Sequence, residues 1–179
     1  SSARRNRSPL PAACALATAD SRGRPSVRFV LLKEAGVRGF VFYTHTTSAK
    51  GKDLRKNPHA ALAFYWDGPG RQVRVSGPVT RVQDREADAY WKTRPRLSQI
   101  GAWASLQSRP LNSRGALLAR VARLALKYRG RPIPRPRTWT GFRIRPRRIE
   151  FWTRQSFRLH HRELFIRSGR AWRRVFLQP

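Results

Sequence analysis

Three turn clusters, Asp20-Ser-Arg-Gly-Arg-Pro25, Asp67-Gly-Pro-Gly70 and Ser168-Gly169, cut this chain into short apolar runs. Runs of six to a dozen residues bounded by such signals are strand-length, not helix-length. The runs at 13–19, 27–33 and 39–44 come first, with Glu34-Ala-Gly36 read as the turn between the last two. They predict two adjacent hairpins, a meander in place of alternating βαβ units. The runs at 60–66 and 71–82 pair across Asp67–Gly70. Side chains alternate along a strand, so Val73 and Val75 share one face and Gln72, Arg74 and Ser76 the other. Gly77-Pro78 predicts a bulge or bend. Three closing strands are expected at 141–152, 158–167 and 171–177.

Helical signals are fewer. Residues 48–57 read as a short basic helix with Thr47 or Ser48 as N-cap and Pro58 beyond its end. A second runs from Asp84, read as its cap, to about Thr93, with Glu86 and Asp88 set against the N-terminal dipole. The clearest spans 113–128: Leu117, Val121, Leu124 and Tyr128 form an apolar stripe, and Arg120, Arg123 and Lys127 take the wet side. Residues 130–136 are Pro-rich and irregular. The sum is a mainly β fold with flanking helices: an antiparallel barrel in one domain, 13–179, after a basic, flexible segment 1–12.

Composition narrows the function. With 179 residues, 40% hydrophobic content, nine Phe and six Trp, the chain can bury a single substantial core. No apolar run approaches the roughly 20 residues needed to span a bilayer, so no membrane role is expected. Cys14 is alone, which excludes an internal disulfide framework and a Cys-rich zinc site; in its apolar run it reads as a small buried residue. A cytoplasmic location fits. The net charge of +30, from 39 Lys and Arg against 9 Asp and Glu, predicts non-specific polyanion binding at low salt. Because the basic residues are spread along the whole chain, no specific nucleic-acid partner is expected.

The chemistry is bounded by what is missing. No His, Cys, Asp and Glu grouping has metal-ligand spacing, and no metal is expected. His160-His161 is adjacent in an expected strand, so the two rings point to opposite faces and do not readily share an ion. There is no Gly-x-Ser-x-Gly elbow and no Gly-rich phosphate loop. What remains is cations and hydroxyls beside aromatics, densest in 94–108. That stretch, Arg94-Pro-Arg-Leu-Ser-Gln-Ile-Gly-Ala-Trp-Ala-Ser-Leu-Gln-Ser108, reads as an anion-binding connection between two helices. Guanidinium, hydroxyl and amide groups together suit a phosphorylated ligand.

In order, these pieces resemble one family. Arg28-Phe-Val-Leu-Leu-Lys33, Phe42-Tyr-Thr44, Arg71-Gln-Val73, Tyr90, Arg94-Pro-Arg-x-Ser-Gln-Ile-Gly-Ala-Trp103, Gln107-Ser108, Trp139-x-Gly-Phe142, Ile149-Glu-Phe-Trp152 and Arg158-Leu-His160 are similar to the pyridoxamine/pyridoxine 5′-phosphate oxidases. The resemblance runs from about residue 13 to Pro179. It implies an FMN-binding split barrel, a homodimer with two cofactor sites at its interface, and oxidation of pyridoxamine or pyridoxine 5′-phosphate to pyridoxal 5′-phosphate by O2 with release of H2O2. The implied FMN contacts are Arg28, Phe29, Val30, Leu31, Leu32, Lys33, Tyr43, Thr44, Lys50, Gln72, Gln107, Ser108, Trp152 and Arg162. The implied substrate contacts are Lys33, Tyr90, Arg94 and Ser98 for the phosphate and Arg158, Leu159 and His160 over the ring, with Arg158 and His160 as catalytic residues. Two apart on the expected strand, Arg158 and His160 point to the same face, as a shared pocket requires. The chain departs from the family pattern at Ala49, where an Arg is usual before the lysine, at Ser76 and at His161, and its N-terminal segment is short. Two other readings follow: a same-fold flavin oxidase of the phenazine-pathway type, and a basic polyanion-binding barrel without turnover.

Overall fold

The computed structural model describes residues 10–179, so most of the segment expected to be flexible lies outside the described residues. Residues 10–12 form a turn, closed by Ala13 N donating to Leu10 O and pinned by Trp66 Nε1 donating to Pro11 O.

Ten strands curl into one sheet. β1 (Ala13–Ala19) pairs with β2 (Pro25–Leu31) and β5 (His59–Trp66); β5 continues to β6 (Arg71–Arg81), β8 (Arg148–Thr153), β9 (His161–Ser168) and β10 (Ala171–Phe176). A second branch runs from β3 (Glu34–Gly36) through β4 (Gly39–His45) and β7 (Trp139–Ile144) back to β6. Each pairing is antiparallel. This is the expected mainly β, split-barrel architecture.

β6 joins the branches. It pairs with β8 through Ser76 and with β7 from Val79 onward. The predicted bend at Gly77-Pro78 is the point of transfer, and a Cβ on Gly77 would lie 2.0 Å from Arg145 O. The alternation of β1 shows why the sheet closes: Cys14, Leu16 and Thr18 are buried, while the alanines between them face outward. Leu16, Phe42, Leu62, Val75, Phe142 and Ile144 fill the barrel core. At these burials each large side chain contributes about 1.5–3 kcal/mol.

Four helices flank the barrel: α1 (Ala49–Lys56), α2 (Asp84–Lys92), α3 (Arg96–Ala104) and α4 (Arg114–Lys127). A second apolar cluster of Trp91, Ile100, Ile133 and Trp139 lies beneath them.

Several local expectations are corrected. Glu34–Gly36 is a short strand paired with β4, because Gly39, at φ +119°, makes the turn instead. The run 141–152 is two strands, interrupted where β7 and β8 separate. Gln83, not Asp84, is the N-cap of α2 and makes no side-chain cap; Asp84 instead receives Arg81 at 2.9 Å and Arg135 at 3.1 Å. The stretch 94–108 is largely helix, since Pro95 opens α3 at the position where a missing N–H costs nothing. Arg120 is half-buried, its Nε without a partner, and so is not on the wet face of α4.

Candidate active site

A cleft of about 510 Å3 opens between β2, β4 and the α2–α3 junction. Its walls include Phe29, Val30, Leu31, Lys33, Tyr43, Thr44, Lys50, Tyr90, Arg94, Ser98 and Gln107, all expected site residues, together with Thr93, Pro95 and Trp139. No carboxylate lines it. The rings of Tyr90, Tyr43 and Trp139 stack, with centroids 4.1 and 5.1 Å apart in succession. Gly141 makes room for this stack: a Cβ there would sit 2.8 Å from the Tyr43 ring. Burial first, then the charges of Glu86 and Glu34, pushes the Tyr43 hydroxyl up to about 12, so it stays a neutral donor.

Two cations lie here without an acid partner, Lys50 buried and Arg94 half-buried. Ser48 caps α1, accepting from Gly51 N at 3.2 Å and donating to His45 O at 2.7 Å. That start places Lys50 in the first turn, only 7% exposed, with Nζ donating to Thr44 Oγ1 at 3.3 Å. Thr44 Oγ1 in turn donates to Gln107 Oε1 at 2.8 Å. Burial, and then the nearby charge of Arg28, holds the Lys50 ammonium below its ordinary pKa. Arg94 is the second cation. Its Cζ lies 4.6 Å from the Trp139 ring and 5.1 Å from Trp91, and its Nη1 is buried with no hydrogen-bond partner. Burial also lowers the Arg94 pKa. An unpaired buried charge is costly, and both costs are removed by an anion in the cleft.

Arg28 sits beside this group but is aimed away from the cleft. Strand alternation turns Phe29 and Leu31 outward and sends Arg28 toward β1 and α1. Its Nη1 donates to Thr18 Oγ1 at 2.6 Å, its Nη2 to Ser26 Oγ at 2.7 Å, and Asp53 lies 3.8 Å away. Leu32 packs against the barrel core and is absent from the cleft walls. Ser108 follows α3 in the left-handed region, at φ +70°, next to Gln107.

The remaining expected residues form a separate group. Gln72 is opposite Trp152, and Trp152 is opposite Arg162. The His160 ring lies 4.5 Å from Trp152. Arg162 donates through Nε and Nη2 to Glu150 Oε1 at 2.9 and 2.7 Å. Arg158 closes a 3-10 turn, Ser156–Arg158, and His160 precedes β9, which starts at His161. Neither is on a strand, so the alternation argument for a shared face does not apply, nor does the opposite-face argument for His160 and His161. Phe157 and Arg158 have φ of +56° and +61°, and this left-handed pair turns the chain back toward Trp152. His160 Nδ1 accepts from Gln155 N at 3.2 Å. None of this group lines the cleft of its own chain.

Sequence reasoning missed four supporting residues. Trp91 and Trp139 carry Arg94, and their signal was the aromatic density around Tyr90 and the Trp139-x-Gly-Phe142 motif. Thr18 and Asp53 hold Arg28 from elements far apart in sequence, and no local pattern marked them. Among the described residues no cluster fit to hold a metal is present, and no helix is long and apolar enough to cross a membrane.

The fold and site define a split-barrel protein with an aromatic, acid-free cleft that presents two cations without carboxylate partners. Comparison with known proteins agrees. Residues 5–128 match the family model described as pyridoxamine 5′-phosphate oxidase, and residues 139–179 match the pyridoxine 5′-phosphate oxidase C-terminal dimerisation region. The chain is 54% identical over 169 residues to the pyridoxine/pyridoxamine 5′-phosphate oxidase of Myxococcus xanthus strain DK1622, covering 94% of this chain and 82% of that protein. It is 57% identical over 171 residues to the protein of that name from Azorhizobium caulinodans, covering 94% and 81%. Among solved structures, PhzG from Burkholderia lata 383 in complex with tetrahydrophenazine-1-carboxylic acid superposes with a TM-score of 0.92 at 38% identity, covering 99% of this chain and 86% of that one. The chain belongs to the pyridoxamine 5′-phosphate oxidase family.

Proposed function

We propose that this protein is an FMN-dependent oxidase that converts pyridoxamine 5′-phosphate and pyridoxine 5′-phosphate to pyridoxal 5′-phosphate. The observation that carries this reading is the pair of cations in a cleft without a carboxylate: buried Lys50, and half-buried Arg94 with its Nη1 buried and unpartnered. A site for FMN and a B6 vitamer must hold two phosphomonoesters, and it needs two such positions.

Lys50 would take the cofactor phosphate, with Arg28 adding its charge from behind Lys50 and Thr44, Gln107 and Ser108 supplying neutral partners. Lys33, Tyr90, Arg94 and Ser98 would hold the substrate phosphate, two cations and two hydroxyls for one dianion. When bound, the flavin supplies a hydride acceptor that O2 can reoxidise. For the amine, O2 and water are consumed and ammonia and H2O2 released; for the alcohol, O2 is consumed and H2O2 released. The protein's part is to align donor and acceptor rings and exclude side reactions.

The second group, Gln72, Trp152, Arg158, Leu159, His160 and Arg162, would complete the site from a second copy of the chain. Three observations support a homodimer: the match of 139–179 to a dimerisation region, the absence of these residues from their own chain's cleft, and the exposure of Phe29 (79%) and Phe157 (93%). Arg158 and His160 would then face the substrate ring, with Arg158 giving electrostatic help at the reacting carbon. An Arg158→Ala protein that keeps its flavin and turns over at the unaltered rate would refute that role.

The deciding assay supplies the flavin-loaded protein with pyridoxamine 5′-phosphate and O2 and follows pyridoxal 5′-phosphate and peroxide. No product, with flavin bound, would reject the reading. The likeness to PhzG favours one alternative, an oxidase acting on a phenazine-type ring. A ring carboxylate could also pair Arg94, but identity is 38% to PhzG against 54% and 57% to the two pyridoxine/pyridoxamine 5′-phosphate oxidases, which is why the phosphorylated vitamer is preferred.

A further inference from the structure

We propose that an arginine groove at the far end of the β4–β7 ribbon binds the phosphate backbone of a nucleic-acid duplex, independently of the flavin cleft. The groove has a volume of about 740 Å3 and is lined by Arg38, Arg81, Arg85, Arg143, Arg145 and Arg167 with Thr80, Gln83 and Glu86. β7 separates it from the cleft: Trp139 lines one and Arg143 the other, four residues or roughly 13 Å along the strand.

Three of the six arginines are internally neutralised. Arg143 bridges Glu34 at 2.9 Å and Glu86, Arg38 reaches Glu34 at 3.4 Å, and Arg81 reaches Asp84 at 2.9 Å. Arg85, Arg145 and Arg167 pair with no carboxylate among the described residues; Arg167 is steadied by its Nε donating to Gly169 O at 3.2 Å. The acids therefore neutralise one half of the groove; in the other half Arg85 and Arg145 are exposed and Arg167 is half-buried, its Cζ 5.9 Å from the Trp172 ring. No aromatic ring lines the groove, so it cannot stack unpaired bases, which is how single strands are held. Its chemistry is that of repeated phosphate contact without base readout.

The test must separate this groove from the +30 charge of the whole chain. Binding of a fluorescent 20-base-pair duplex is followed by anisotropy across a salt series, with and without excess FMN. The variant Arg85→Ala/Arg145→Ala/Arg167→Gln is compared with Arg123→Ala/Arg129→Ala/Arg170→Ala, which removes the same charge from exposed positions elsewhere. The groove variant is expected to lose roughly tenfold or more in affinity at low salt and to flatten the log–log salt slope by about 2 to 3. The control is expected to change affinity less than about threefold, as weaker, longer-range charge does. Equal losses in both variants overturn the proposal, as does displacement of the duplex by FMN or tighter binding of a single strand of equal length. Circular dichroism and FMN titration of each variant establish that it is folded.

Discussion

The guanidinium of Arg94 lies over the ring of Trp139, its Cζ 4.6 Å from the centroid, while its buried Nη1 has no partner. The aromatic surface orients the cation without neutralising it, so its charge remains available to a ligand. Arg94→Lys keeps the charge but loses the planar fork and its stacking. We expect KM for the phosphorylated substrate to rise roughly 10- to 100-fold, about 1.4–2.7 kcal/mol, with FMN affinity within twofold of the parent. Steady-state kinetics beside a flavin fluorescence titration checks both. A matched loss of FMN affinity would assign Arg94 to the cofactor instead.

Lys50 sets stability against binding. The apo protein buries its ammonium against a single hydroxyl, with burial and Arg28 both opposing the charge. Lys50→Met should make the apo protein more heat-stable by about 1 kcal/mol, or roughly 2–4 °C in Tm for a chain of this size. The same change should weaken FMN binding roughly 10- to 100-fold, the worth of a charge-assisted hydrogen bond. Calorimetry of the apo protein and flavin titration give the two numbers; a lower apo Tm would contradict the account.

Thr18 connects Arg28 to α1. Its hydroxyl donates to Asp53 Oδ2 at 2.7 Å and accepts from Arg28 Nη1 at 2.6 Å. Thr18→Val keeps shape and net charge while removing both bonds. We expect a stability loss of about 1–3 kcal/mol, from polar groups left unpaired, and FMN affinity about 3- to 10-fold weaker as Arg28 loses its fixed position. Thermal melts and FMN titration at constant ionic strength measure the pair. Unchanged FMN affinity would place Arg28 outside the cofactor site.

Cys14 is the alkaline reporter of the core. Burial pushes its thiol from 9.0 up to about 11. Because the unfolded chain loses this proton more readily, stability falls as pH rises past the unfolded value toward the folded one. Native protein at pH 8.5 should resist iodoacetamide, and full labelling should need denaturant. Cys14→Ala should show a shallower stability loss between pH 9 and 11, by at most about 2–3 kcal/mol. Rapid native labelling would show that the β1–β2 edge opens readily.

Much of the fold was legible from the residues. The alternation of β1, the turn at Asp67–Gly70, the helix start at Thr47 or Ser48 and the transfer point at Gly77-Pro78 are local consequences of alternation and turn chemistry, which act within a few residues. Local rules failed where tertiary context competed. Asp84 gave up capping α2 for its ion pairs with Arg81 and Arg135. Arg158 and His160 left the strand for a left-handed turn beside Trp152.

The candidate site divides the same way. The sequence alone determined which residue types assemble and that the cations outnumber the acids, because composition and motif order are properties of the chain. Only the tertiary structure decided that Lys50 and the Arg94 Nη1 are buried without carboxylates, that Arg28 is held by Thr18 and Asp53, and that Gln72, Trp152 and Arg162 lie apart from the cleft. Burial, desolvation and the meeting of distant strands depend on positions in space, and no periodicity along the chain encodes them.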